Sequence, residues 1–200
     1  DDKLNFRLKE SVTSLNNKND EDALGKYSNE NFTFSNSSVE IGNAYHLALK
    51  TLDFEKIETA QDLNCEMKKN IEIFKDIENY IDKTLLLKNI QLLKQFTSDA
   101  SVYKEKEFIM KDKICNLIDG TSLDEEILVQ GVIDLFVMKD KEIILIDYKY
   151  SNSNSEEYLI KKYKNQIKLY KKALENALNL KVGQTFLLSL RNNKLIKVEV

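Results

Sequence analysis

Apolar residues recur with a helical period in the first half of the chain and mostly with a period of two in the second. Tyr45, Ala48, Leu49 and Leu52 follow the i, i+3, i+4, i+7 rule and predict a helix from Gly42–Asn43 to about Phe54, with His46 beside its buried stripe. From Thr59 to Phe96 the pattern stays helical. Leu63, Met67, Ile71, Phe74, Ile77 and Ile81 are periodic, and a second helix runs from Leu85 to Phe96. A strand follows at Ser101 to Met110, then a turn-rich stretch around Asp119-Gly120-Thr121. Ile127 to Met138 and Glu142 to Tyr150 alternate as strands, joined by a hairpin turn at Lys139-Asp140-Lys141. Tyr163, Ile167, Tyr170 and Leu174 form the stripe of a helix from about Glu156 to Leu180. Gln184 to Leu190 and Lys194 to Val200 read as a closing hairpin around Arg191-Asn192-Asn193. This order predicts an α/β fold: a mixed sheet flanked by helices, with an N-terminal helical region. Residues 1–40 are polar and rich in Asn and Ser, notably in NNKNDED and YSNENFTFSNSS, and read as a lead-in.

Within the strands a few ionisable residues break the apolar pattern. In Glu142 to Tyr150, alternation sends Ile143, Leu145, Asp147 and Lys149 to one face and Ile144, Ile146, Tyr148 and Tyr150 to the other. Asp147 and Lys149 are therefore neighbours. In Ile127 to Met138, Gln130, Val132, Asp134 and Phe136 alternate against Val129, Gly131, Ile133, Leu135 and Val137. Both faces are mostly apolar, so the strand is expected to be covered on both sides, and Asp134 is costly unless paired or bound to a cation. A hairpin brings Asp134 towards Asp147. Two converging carboxylates repel one another, a divalent cation removes the repulsion, and a nearby Lys can hold a water for attack on phosphate. Gln166 and Tyr170 lie one helical turn apart and can act together. An ordinary edge ion pair between Asp147 and Lys149 explains those two residues equally well at this point.

Composition narrows the classes. Two hundred residues with 42% hydrophobic content suffice for one well-buried domain. No stretch approaches the roughly 18 continuous apolar residues of a membrane span, and no signal pattern opens the chain, so an intracellular protein with no membrane partner is expected. Cys65 and Cys115 lack C-x-x-C spacing, which argues against a zinc site, a disulfide framework or a four-cysteine iron–sulfur cluster. No G-x-x-x-x-G-K-[ST] loop is present, so ATP hydrolysis is not expected within these residues. The net charge of −3 counts against a nucleic-acid binder taken as a whole. Local clustering softens that objection, since Lys161, Lys162, Lys164, Lys168, Lys171 and Lys172 share one predicted helix.

The motifs GVID, IDYK and NQIKLY together resemble those of the RecB-like branch of the PD-(D/E)XK nucleases, in particular the nuclease domains of AddA-type helicase–nucleases. The resemblance maps a G-x-x-D strand onto Asp134, a D-Y-K strand onto Asp147-Tyr148-Lys149, a Q-x-x-x-Y helix onto Gln166 and Tyr170, and an upstream His onto His46 in GNAYHLAL. KEKEF places Glu105 at an acidic position on the preceding strand, and SVTSL at Ser11 to Leu15 resembles the segment where such domains begin. Tyr150 stands where Thr is common, a departure expected to alter packing more than chemistry.

The resemblance implies a restriction-endonuclease-like core and metal-dependent hydrolysis of DNA. Asp134, Asp147, His46 and the Tyr148 backbone carbonyl would hold Mg2+ or Mn2+, Lys149 would orient the nucleophile, and Gln166, Tyr170 and Glu105 would support the site or the DNA. It implies a single-stranded DNA substrate, an AddB-like partner, a helicase motor in the same polypeptide that uses the ATP, a role in double-strand-break repair and a bacterial cytoplasmic setting. On this reading residues 1–40 lead in from the motor and 41–200 form the nuclease domain, divided into a helical part at 41–98 and a catalytic part at 99–200. A catalytically silent DNA-binding scaffold and a free-standing structure-specific endonuclease are the competing classes.

Overall fold

The computed structural model describes residues 9–15, 37–117 and 122–200. In chain order the elements are β1 (Lys9–Ser11), α1 (Ser37–Thr51), α2 (Ala60–Lys69), α3 (Ile71–Ile77), α4 (Lys83–Thr97), β2 (Ser101–Lys113), the short α5 (Ile114–Leu117), β3 (Glu126–Lys139), β4 (Glu142–Lys149), α6 (Glu156–Leu178), β5 (Val182–Ser189) and β6 (Lys194–Lys197). Local chemistry fixes several of the ends. Thr59 and Asp62 form a capping box at α2, Asp82 accepts from Thr84 N–H and Leu85 N–H at α4, and Ser155 accepts from Tyr158 N–H at α6. Asn179, in the left-handed region at φ 51°, ends α6.

The β3–β4 hairpin turns through Asp140 and Lys141, both at positive φ (51° and 69°), with Lys139 opposite Glu142. Two successive positive-φ residues give the turn whose twist suits an antiparallel pair. The six strands form one mixed sheet in the order β1-β3-β4-β5-β6, with β2 also on β3. β4 and β5 are parallel and linked through α6, while the β2–β3, β3–β4 and β5–β6 pairs are antiparallel.

One face of the sheet packs on α6, α5 and the turn after β1, through Val12, Leu15, Ile114, Leu145, Ile167, Leu174 and Leu187. The other packs on α1 to α4, through Tyr45, Leu49, Leu63, Phe74, Ile90, Ile146, Tyr148 and Leu188. This is the expected α/β/α arrangement. The faces of β4 follow the alternation read from the sequence, and Tyr150 stacks on Tyr45 with ring centroids 5.6 Å apart.

Two features depart from the sequence reading. β1 pairs in parallel with β3 at Leu128 to Gln130, and α1 begins at Ser37, so the expected boundary at residue 41 cuts a helix and the sheet draws a strand from the stretch read as lead-in. The NNKNDED and YSNENFTFSNSS segments lie outside the described residues, as does the expected turn at Asp119 to Thr121. The second departure is in β3, whose strict alternation fails. Val129, Ile133 and Phe136 face one core cluster while Leu135 and Val137 face the other, so the strand changes face near Asp134. β2 changes face at the same level, with Tyr103, Phe108 and Met110 all packed on the α6 side. Between the pairs Lys104–Leu135 and Lys106–Ile133 stands Glu105, at φ 48°.

Candidate active site

β3 has two edges. β2 lies along one for its whole length; the other is shared by β1, at Leu128 to Gln130, and β4, at Leu135 to Lys139. Residues Gly131 to Asp134 between them pair with neither. The carboxyl ends of β1 and β4 converge on this notch, and a crevice where strand order changes is where open α/β sheets bind ligands. A cavity of about 660 Å³ occupies it, lined among others by Ser11, Val12, Gly131, Asp134, Lys149, Gln166 and Tyr170. Gly131 is needed there: a Cβ would come within 2.8 and 2.9 Å of the Phe108 ring and 3.0 Å of Val12. His46 lines this cavity and a smaller one of about 330 Å³ that it shares with Asn43, Leu47, Lys50 and Glu105.

At the meeting point of the two cavities, α1, β2 and β3 each deliver one polar side chain. His46 Nδ1 lies 3.3 Å from Asp134 Oδ1 and 3.8 Å from Glu105 Oε1. His46, Glu105 and Asp134 offer ligand atoms all within 4.8 Å of one another. His46 Nε2 is 3.2 Å from the Tyr148 carbonyl, and Tyr148 N–H donates to Asp134 Oδ2 at 2.7 Å. The matching face changes of β2 and β3 turn both carboxylates towards His46. Lys104 holds the neighbouring backbone in place, donating to the Leu49 and Leu52 carbonyls at the end of α1 at 2.9 and 2.5 Å, 3.4 Å above the Phe54 ring.

Lys149 Nζ sits 2.6 Å from Asp147 Oδ2 and 4.9 Å from the centre of the Tyr163 ring. Gln166 Nε2 donates to Asp147 Oδ1 at 3.2 Å and to the Tyr170 hydroxyl at 2.8 Å. Thus Asp147 is engaged by Lys149 and Gln166 and stands outside the His46–Glu105–Asp134 group. Glu105 takes a more central place than the sequence assigned it. Tyr163 under Lys149 was not singled out by the sequence reading, in which it was one more residue of an apolar stripe. Of the six lysines of α6, Lys172 pairs with Asp112 and Lys171 bonds to Val200, while Lys161, Lys164 and Lys168 are exposed.

The electrostatics follow from burial and partners. Burial opposes charge on His46, but hydrogen bonds to Asp134 and Glu105 outweigh it and hold the imidazolium up to a pKa of about 10. Burial likewise disfavours the Asp134 carboxylate, yet His46, Lys149 and the Tyr148 N–H bring it below the usual range. Asp147 is pushed up to about 6, chiefly by burial and with a contribution from Asp134, which Lys149 only partly offsets. Lys149 is shifted upward, because the two carboxylates outweigh its own burial. The site therefore holds two negative groups beside an imidazolium and a lysine in a nearly dry notch. A divalent cation fits such a donor set once it replaces the imidazole proton, since carboxylate oxygens and neutral imidazole are its usual ligands.

Sheet order, the strand bearing Asp and Lys two residues apart, and the helix that braces Asp147 define a known class: the chain belongs to the PD-(D/E)XK nuclease superfamily, whose family model matches residues 21–200. Within that class it is similar to proteins named as ATP-dependent helicase/nuclease subunits. The relative from Clostridium acetobutylicum is 34% identical over 184 residues, covering 82% of this chain and 14% of the relative. That from Ligilactobacillus salivarius is 31% identical over 172 residues (80% and 14%), and that from Clostridium botulinum 30% over 165 (76% and 13%). The chain thus spans about a seventh of the length of these relatives. The resemblance read from GVID, IDYK and NQIKLY is borne out at the level of family and fold. No helix among the described residues is long and apolar enough to cross a membrane.

Proposed function

We propose that this chain is the nuclease part of an AddA-type helicase–nuclease and hydrolyses phosphodiester bonds of single-stranded DNA in bacterial double-strand-break repair. The observation that carries the reading is the convergence of His46, Glu105 and Asp134 beside the Asp147–Lys149 pair at one notch of the sheet. The names of the relatives support the wider setting: a helicase motor in the same polypeptide that consumes the ATP, an AddB-like partner and a cytoplasmic location.

Asp134, His46 and Glu105 would hold Mg2+, or Mn2+ in its place, with the Tyr148 carbonyl and Asp147 as the remaining expected donors. The cation supplies a Lewis acid that lowers the pKa of water and offsets charge on the scissile phosphate. Lys149, kept protonated by its carboxylate neighbours, donates a hydrogen bond to the attacking water or to a phosphate oxygen. Gln166 fixes Asp147 by its second oxygen, and Tyr170 fixes Gln166. Burial of this pair keeps bulk water from screening Lys149. Residues upstream of β1 would connect to the motor.

Cleavage of linear single-stranded DNA in Mg2+ and in Mn2+ tests the reading, with Asp147→Ala and Lys149→Ala alongside. Metal-dependent activity lost in both variants is expected. Absence of cleavage together with absence of metal binding by calorimetry would leave only a scaffold role.

A further inference from the structure

Beyond Lys149 the carboxyl ends of β4 and β5 carry a second set of polar groups that take no part in the chemistry above. Ser189 pairs with Lys149 across the two parallel strands, and Leu190 N–H donates to the Lys149 carbonyl at 2.9 Å. The next residue is Arg191, exposed, and the single arginine among the described residues. Its guanidinium bonds to the amide oxygen of Asn152. No carboxylate among the described residues pairs with it, whereas Lys111, Lys113, Lys172 and Lys194 each have one.

The facing loop, residues 151–155, reads SNSNS. Ser151 Oγ accepts from Ser153 N–H at 3.1 Å, Ser153 Oγ from Ser155 N–H at 3.2 Å, and Ser155 Oγ from Tyr158 N–H at 3.2 Å. Each hydroxyl is thereby fixed as an acceptor towards its own chain and keeps its proton to donate outward. Asn192 ties the loop down by donating to the Ser153 carbonyl at 3.1 Å and to Ser189 Oγ at 2.9 Å. Glu156, at the start of α6, is neutralised by Lys194. The result is a rim of donors around one guanidinium, immediately past the catalytic strand.

A ligand for this rim accepts hydrogen bonds, donates none and carries negative charge, and a backbone phosphodiester has those properties. We propose that Arg191 and the serine hydroxyls of residues 151–155 bind a phosphate of the substrate strand adjacent to the one cleaved at Lys149. This rests on the nuclease reading above and adds to it a register for the strand, running from the notch along the ends of β4 and β5.

The test is binding of the full chain to a fluorescein-labelled, cleavage-resistant phosphorothioate oligothymidylate, followed by anisotropy over a range of NaCl concentrations. Arg191→Gln is expected to weaken binding about fivefold to tenfold near 0.1 M salt and to reduce the slope of log K against log [salt] by about 0.7, the value for one phosphate of a single strand. Asn152→Ala frees the loop but keeps the guanidinium, so its slope stays that of the unsubstituted chain. Lys164→Gln, on the exposed side of α6 away from Gln166 and Tyr170, is the control for a charge lost elsewhere and leaves the slope unchanged. Equal slopes for Arg191→Gln and the unsubstituted chain would overturn the phosphate site and leave the nuclease reading intact, as would a slope that Asn152→Ala lowers equally. If the unsubstituted chain neither binds the strand nor cleaves DNA, both fall together.

Discussion

Binding of a divalent cation should expel one proton from this protein at neutral pH, and that proton comes from His46. Asp134 and Glu105 hold the imidazolium up to a pKa of about 10, so at pH 7.5 it carries a proton that a metal ligand cannot keep. Removing it at that pH costs about 3 kcal/mol, from 2.5 pH intervals at about 1.36 kcal/mol each. Apparent affinity for Mn2+ should accordingly rise about tenfold for each pH unit between 7 and 9 and level off near 10. Asp147, pushed up to about 6, is ionised throughout that range and contributes a second proton only below it. Asp134, held below the usual carboxylate range, contributes none. Calorimetric titration of Mn2+ at pH 7.5, in buffers of differing ionisation enthalpy, measures the proton count directly. One proton is expected for the unsubstituted chain and none for His46→Gln. Tight binding with no proton released, or a release that persists in His46→Gln, would refute the assignment of His46 as a ligand.

Local geometry sets three more outcomes. Glu105→Gly removes a left-handed backbone strain at φ 48°, so the domain should gain about 1 kcal/mol in a urea unfolding curve while its Mn2+ affinity falls; loss of stability would show that Glu105 is not strained. Gly131→Ala forces a methyl against the Phe108 ring and Val12, and should cost about 1–3 kcal/mol in the same assay. Burial between the end of α1 and the Phe54 ring lowers Lys104 to about 8. Between pH 8 and its unfolded value of 10.5 the folded state therefore binds fewer protons than the unfolded state, and stability rises with pH across that window. Lys104→Met should flatten this rise, measured as urea midpoints from pH 7.5 to 10.

Features that depend on near neighbours along the chain were legible in the amino-acid order alone. The stripe of Tyr45, Ala48, Leu49 and Leu52 fixes which side of α1 is buried, and so leaves His46 at its margin. The alternation of β4 puts Asp147 and Lys149 on one face, and the charged residues 139–141 turn the hairpin that brings β4 back along β3. These follow from helical and strand periods and from turn chemistry, which need no knowledge of the rest of the fold. Motif order along the chain was enough to point to the family.

The remaining features join residues whose separation has no period, and they emerge only when the chain is folded. β1 is only three residues long and owes its place to the edge of β3, more than a hundred residues later, so its polar surroundings in the sequence read as lead-in. The face changes near Glu105 and Asp134 had to occur together in two paired strands, since a slip in one alone would turn an apolar row towards solvent. That joint slip brings Glu105 into the donor group and leaves Asp147 to Lys149 and Gln166. The rim of Arg191 and Asn152 likewise bridges 39 positions, and it forms because β4 and β5 are parallel and therefore end at the same side of the sheet.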